Sequence, residues 1–295
     1  MRKHWLAVAA LLFTAVAWGS TFTLIKNVLR SIAPEPFIFY RFTLAGILLV
    51  FVAASRGGLT RRVVKPAIAL GVLVFLGYWL QTRGLLSISA SRSAFLTGLY
   101  VVMVPFCDRM IYGARVSAQA WMGSLLAVVG TAVLIGGFDQ RPGPGDLLTI
   151  LCAAAFAVHL VLSARYTPAH SATALAAVQV LFVGIAAAPL SLFAPRTAAT
   201  RDVVLVIVFT AVITTALAFV AMMWGQSHVS ATEAAIILSF EPVAASIAAV
   251  VWDGEPVTTP FLCGAALILT AMILTQLQSN ASATMRGDDA HSGHE

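Results

Sequence analysis

The sequence predicts an all-α integral membrane protein of ten transmembrane helices arranged as a 5+5 inverted repeat, and three observations predict it. Of its 295 residues 60% are hydrophobic and only 10% charged, with a mean hydropathy of +0.92. Soluble chains carry about 25% charged residues. Uncharged runs at Trp5–Ile25, Val116–Phe138, Ser171–Pro195 and Val203–Ser227 each reach the roughly 20 residues needed to cross a hydrocarbon core. The chain also contains one membrane unit twice. A shift of 141 residues lays Gly84–Ser91 on Gly225–Thr232 and, without a gap, Gly113 on Gly254, Val116 on Val257, Gly123 on Gly264 and Leu126 on Leu267. A shift of 138 lays Ala17-Trp18-Gly19 on Ala155-Phe156-Ala157. Duplication of an apolar chain is the mark of secondary transporters, whose binding site lies between the two copies.

In chain order, spans are expected at about 5–26, 36–54, 66–86, 92–111, 117–137, 146–164, 172–194, 203–224, 231–252 and 257–278. The first could be mistaken for a signal peptide, because Met1-Arg2-Lys3-His4 is basic and Ala15-Val16-Ala17 has the small-x-small look of a cleavage site. Its apolar run continues to Ile25, however, and its aligned copy lies mid-chain, so it is kept as a span. Pro34-Glu35-Pro36 opens the second span and Arg56-Gly57-Gly58 closes it; Asp253-Gly254-Glu255-Pro256 separates the last two. The longest break in apolarity, Asp139–Asp146, falls near the midpoint and divides a first repeat at 5–138 from a second at 147–278. Asp146 is expected to N-cap the sixth helix. Residues 279–295 are polar and rich in small side chains, so a disordered tail is expected, and His291 and His294 there read as solvated. Five spans per copy is an odd number, which reverses the second copy in the membrane.

Orientation follows from Lys and Arg. With the N-terminus inside, the cytoplasmic segments hold Arg2, Lys3, Arg56, Arg61, Arg62, Lys65, Arg109, Arg115, Arg165 and Arg286; the other side holds Lys26, Arg30, Arg83, Arg92, Arg141, Arg196 and Arg201. The excess favours both termini in the cytoplasm. The net charge of +6 is thus explained by topology and not by a basic face for nucleic acid. Cys107, Cys152 and Cys263 lie singly in apolar segments, without ligand spacing, so no metal or cofactor is expected.

Several segments carry a pattern that resembles the EamA type of the drug/metabolite transporter superfamily. They are Trp18-Gly19-Ser20-Thr21-Phe22 with Lys26, Tyr40-Arg41-Phe42, the stretch from Gly84 to Pro105 with Phe95-Leu96-Thr97-Gly98-Leu99-Tyr100, Glu241-Pro242, and Gly254-Glu255-Pro256-Val257-Thr258. The resemblance covers about residues 5–277 and implies a ten-span permease of the bacterial inner membrane, an exporter. Two departures stand out: Ala114 occupies the place of Glu255, and Pro105 lies four residues beyond the place aligned with Pro242.

Candidate site residues are the polar and aromatic side chains inside the spans. Arg41 lies some six residues into its helix, where charge is costly. It faces a cavity or an ion-pair partner, or it snorkels to the nearer interface. Facing a cavity, it would suit a substrate carboxylate or phosphate. Glu241 lies mid-span beside Pro242, which cannot donate to the carbonyl of Leu238 and bends the helix there. It is a candidate for substrate binding or proton coupling, against a structural carboxylate. His159, aligned with Thr21, is a second proton-coupling candidate or else a packed core histidine. Tyr78, Trp79 and Gln81, with Tyr100 on the next span, make an aromatic and polar wall, although Trp79 could equally face lipid. Trp18 and Thr21 complete the set, unless the first span is merely closely packed there.

The expectation is therefore a secondary active transporter of small metabolites such as amino acids, working by alternating access. Its partners would be the lipid bilayer and a small-molecule substrate, as monomer or homodimer, with no nucleic acid. A sugar, nucleotide-sugar or phosphorylated-metabolite exchanger is the rival, and it would call for a strongly basic lining where only Arg41 and Lys26 are available. An intramembrane enzyme would need clustered catalytic groups, and the polar residues are too scattered.

Overall fold

The structure, a computed structural model, describes residues 2–134, 143–195, 200–253 and 257–274. In chain order its helices are α1 (Arg2–Val28), α2 (Pro34–Ser55), α3 (Arg61–Gly84), α4 (Ala90–Tyr112), α5 (Ala118–Leu134), α6 (Pro144–Ala169), α7 (Ala172–Leu192), α8 (Arg201–Gln226), α9 (Ala231–Leu238 continued by Glu241–Asp253) and α10 (Thr259–Leu274). Eight are long and apolar enough to cross a membrane; α5 and α10 are shorter apolar helices. There is no strand among the described residues. Their outer surfaces carry Ile47, Phe51, Met122, Leu125, Ile185 and Leu192, all exposed, as lipid-facing positions require. The turn from Gly254 to Pro256, most of the midpoint linker and the tail lie outside the described residues.

Two expectations change. Gly143, not Asp146, occupies the N-cap of α6: Pro144 takes the first helical position, where its missing N–H is harmless, and Asp146 sits three residues in. There its carboxylate accepts the Gly143 N–H at 2.6 Å and pairs with Arg92. Helix α3 begins at Arg61, five residues before Pro66, which it tolerates in its interior.

The helices pair in sets whose members differ by five. Helix α3 packs on α6 and α7, and α8 packs on α1 and α2; α4 packs on α6, and α9 on α1. The pairs α2 with α7 and α4 with α9 close on themselves under the same rule. Glycines set the approach distances. A Cβ on Gly46 would stand 2.6 Å from Leu181 Cα, and one on Gly184 would stand 2.8 Å from the Thr43 nitrogen. Shifted by 138, Gly46 is Gly184 and Thr43 is Leu181, so the α2–α7 crossing is the same contact made twice. Likewise a Cβ on Gly84 would meet Gly145 and Thr149, and one on Gly225 would meet Ala7 and Leu11, the residues 138 positions earlier.

These contacts fix which end of α1 each turn occupies. At its C-terminal end Lys26 Nζ donates to the carbonyls of Leu85 at 2.9 Å and Ile88 at 2.5 Å, in the α3–α4 turn. At its N-terminal end Gly225 packs on Ala7, and His4 pairs with Glu233 at 3.4 Å, in the α8–α9 turn. The two turns therefore lie at opposite ends of a helix long enough to cross the membrane.

Candidate functional site

Four helices depart from regular α geometry around one cavity. Helix α1 turns at Ser20-Thr21, α4 at Leu99 and α9 at Ser239-Phe240, while α8 widens into a π-helix over Thr210–Leu217. Irregular backbone at membrane depth is tolerated where it is packed in protein or lines an aqueous cavity. Pro242 accordingly does more than bend α9: it lies in the first turn of the segment that restarts at Glu241, where no N–H is needed. Gly19 lets α1 approach that restart, for a Cβ there would stand 2.9 Å from Ala244 Cβ.

The cavity encloses about 630 Å³ of atom-free space, open solvent at its mouth included. All eight residues singled out from the sequence line it: Trp18, Thr21, Arg41, Tyr78, Gln81, Tyr100, His159 and Glu241. Sequence reading missed Phe156, Phe219, Met222, Thr97 and Leu238, which join them. Ordinary apolar side chains in an apolar helix give no signal. Each, however, sits at the repeat equivalent of a wall residue: Trp18 with Phe156, Thr21 with His159, Phe22 with Leu160, Tyr78 with Phe219, Gln81 with Met222, Thr97 with Leu238 and Tyr100 with Glu241. Trp79 and Lys26 do not line it. Trp79 donates to Glu35 Oε1 at 3.2 Å, beside the Arg83–Glu35 ion pair at 2.6 Å.

Arg41 is buried, at 2% exposure, so it does not snorkel. Its Nε donates to Thr215 Oγ1 at 2.7 Å and its Nη2 to Thr214 Oγ1 at 3.1 Å, both in the π-helical stretch of α8. Its guanidinium carbon lies 5.0 Å from the ring centre of Tyr78, 5.2 Å from that of Phe42 and 5.9 Å from that of Phe37. Aromatic faces and hydroxyls hold the cation without neutralising it. The Thr214-Thr215 pair inside an otherwise apolar run was the one available sequence signal for this partner. Trp18 Nε1 donates to the Thr214 carbonyl at 2.8 Å, tying α1 to the same stretch.

Glu241 is buried at 5% exposure, and its carboxylate makes no hydrogen bond or ion pair with any described side chain. His159 Nε2 donates to Gln179 Oε1 at 2.8 Å, and Gln81 Nε2 donates to Thr97 Oγ1 at 3.0 Å. Rings fill the space between: Tyr78 lies 5.4 Å from Phe156 and 6.2 Å from Phe219, centre to centre. The cavity thus offers one uncompensated cation, one uncompensated carboxylate and an aromatic floor. Among the described residues no group of three or more His, Cys, Asp or Glu side chains could hold a metal ion.

Comparison with known proteins gives the same class. The model of the EamA-like transporter family matches residues 5–136 and 143–277. An uncharacterized transporter of Archaeoglobus fulgidus is 33% identical over 279 residues, covering 94% of this chain and 87% of that one. The uncharacterized transporter YdfC of Bacillus subtilis is 25% identical over 273 residues, covering 89% and 88%. A crystal structure with 20% sequence identity superposes with a TM-score of 0.77 over 93% of this chain and 98% of its own, which establishes the fold.

Proposed function

The chain belongs to the EamA-like transporter family, and from that premise we propose that it is a secondary exporter of small zwitterionic metabolites such as amino acids. It works by alternating access between two inverted five-helix halves, residues 5–138 and 147–278. The single observation that carries the substrate reading is the pairing of an uncompensated Arg41 with an uncompensated Glu241 across one aromatic cavity. A substrate carboxylate answers the first, and a substrate ammonium answers the second. The inverted-repeat reading is supported by helix pairings that recur with five added and by the two turns at opposite ends of α1.

The rival, a phosphorylated-metabolite exchanger, would use more than one cation. Lys26 is engaged by the carbonyls of Leu85 and Ile88, which leaves Arg41 as the one Lys or Arg on the wall among the described residues. Glu241 and His159 are the groups through which a proton could be exchanged for substrate. The test is counterflow of labelled amino acids in proteoliposomes, followed by uptake under an imposed proton gradient. Counterflow by the native chain and loss of gradient dependence in Glu241→Gln are expected. Counterflow of sugar phosphates but not of amino acids would overturn the substrate reading, and unchanged coupling in Glu241→Gln would remove that carboxylate from the proton path.

A further inference from the structure

Helices α4 and α9 break at the same place. Shifted by 141, Gly98-Leu99-Tyr100 is Ser239-Phe240-Glu241, so the turn at Leu99 answers to the turn at Ser239-Phe240. Tyr100 and Glu241 are each the first residue of the segment that restarts beyond the turn. The two breaks also meet: α4 and α9 pack on each other, and a Cβ on Gly98 would stand 3.9 Å from Pro242 Cγ. A helix pair that maps onto itself under the repeat straddles the line between the copies. The crossing therefore delivers Tyr100 and Glu241 to one cavity from its two sides.

Both residues carry polar atoms that the protein leaves without a partner. The Tyr100 side chain is buried at 3% exposure and lines the cavity, yet its Oη has no hydrogen-bond partner among the described residues. A buried hydroxyl left unpaired is uncommon and calls for an account. Other polar groups on the wall are turned elsewhere: Gln81 Nε2 donates to Thr97 Oγ1, and Thr21 Oγ1 donates to the Trp18 carbonyl. The Glu241 carboxylate has no hydrogen-bond or ion-pair partner among the described residues either. A carboxylate only accepts hydrogen bonds, and a phenol oxygen accepts as well as donates. The crossing thus holds two unused acceptors, one of them charged.

We propose that Tyr100 Oη and the Glu241 carboxylate together form the subsite for the ammonium group of the substrate, and that they select an unsubstituted ammonium over an N-alkylated one. The inference rests on the zwitterion reading of the cavity. An unsubstituted ammonium has three N–H groups, so it can donate one to the carboxylate and a second to the phenol oxygen. A carboxylate acting alone would not discriminate in this way. Against aromatic walls a trimethylammonium is held by charge and by ring faces, with no N–H at all. A site built to hydrogen-bond a group rejects the analogue that lacks it, because the buried polar atom of the site is then left unpaired. The preference for N–H accordingly comes from the hydroxyl of Tyr100.

The test is counterflow by the full chain in proteoliposomes, using the labelled amino acid that counterflows most strongly among the twenty common ones. The unlabelled competitors are that amino acid and its N,N,N-trimethyl derivative, and the native chain is compared with Tyr100→Phe. In the native chain the trimethyl derivative should compete at least about tenfold more weakly, the size of one hydrogen bond to a charged group. In Tyr100→Phe the parent amino acid should weaken by a like factor while the trimethyl derivative holds or gains, so that the gap closes. The melting temperature should not fall, because the hydroxyl removed bonds to nothing in the empty protein. No gap in the native chain, an undiminished gap in Tyr100→Phe, or equal weakening of both competitors would overturn the subsite and leave amino-acid transport standing. A variant that melts well below the native chain would make the hydroxyl a structural group and overturn the subsite too. A native chain that counterflows none of the twenty would overturn the zwitterion reading, and the subsite with it.

Discussion

The two halves of the cavity wall make the most instructive comparison in the molecule. Aligned at the 138- and 141-residue shifts, the first half presents Tyr78, Gln81 and Tyr100 where the second presents Phe219, Met222 and Glu241, while Arg41 on the wall answers to Gln179, which does not line the cavity. The glycines that set helix approach are kept in both, at Gly46 and Gly184 and at Gly84 and Gly225. The backbone architecture is therefore shared and the chemistry divided: a cation on one half and a carboxylate on the other. A molecule that must be held at two differently charged ends needs such division. A symmetric wall would offer like charge to both ends.

The comparison can be broken hardest at the two ion pairs, Arg92 with Asp146 and His4 with Glu233, whose members Arg92 and Glu233 are equivalent residues each three beyond a serine N-cap. Both pairs are only partly buried, so removing one member costs less than the about 3–5 kcal/mol of a fully buried pair. Asp146→Ala leaves a permanently charged guanidinium without that carboxylate, whereas Glu233→Gln still offers His4 a hydrogen-bonding amide. Thermal melting in detergent should accordingly show the larger loss for Asp146→Ala; equal losses would mean that the two ends are held alike.

Next comes the charge itself. Arg41→Gln writes the second half's residue into the first and removes a hydrogen bond of the charged kind, about 1.5–3 kcal/mol, or about 10- to 150-fold in substrate affinity. Counterflow titrations should show that rise in half-saturation, with Gln179→Ala far milder because that amide does not line the cavity here. A wild-type half-saturation in Arg41→Gln would take the guanidinium out of the binding site.

The shared backbone gives a sharper test by its sameness. Gly46→Ala and Gly184→Ala each push a methyl into the partner helix, and overpacking of this kind costs about 1–3 kcal/mol. The two variants should melt within experimental error of each other, and a clear difference would show that the α2–α7 crossing is not the symmetric contact it resembles. The smallest expected effect is at Gly113, which ends α4 with φ of 66°. Gly113→Ala forces a Cβ into the left-handed region at about 1 kcal/mol, and transport should persist with a slightly lower melting temperature.

Much of this was legible in the sequence. Hydropathy located the eight helices long and apolar enough to cross a membrane to within about five residues, because bilayer thickness leaves little freedom in helix length. The costly charges pointed to the cavity, for Arg41 and Glu241 both line it. The duplication pointed to the midline between copies. Less was legible where the signal was apolar or conformational. Nothing in Phe156 or Met222 separates a wall residue from a lipid-facing one, because both are simply hydrophobic. The π-helical stretch of α8 was hidden too, for Thr210–Leu217 has no proline or glycine to mark it.

By itself, then, the sequence determined the class, the long apolar helices, its own internal self-similarity and the costly residues, each of which depends on one-dimensional quantities: hydrophobicity, spacing and likeness at a fixed shift. Only the tertiary structure decided which partner each buried group takes. It gave Arg41 to Thr214 and Thr215, Lys26 to the carbonyls of the α3–α4 turn and, among the described residues, no hydrogen-bond or ion-pair partner to the Glu241 carboxylate. It also decided which half of an equivalent set is exposed to the cavity and which is shut away. Both depend on how helices distant in sequence close on one another, and in a duplicated chain the same local pattern is compatible with either half being the open one.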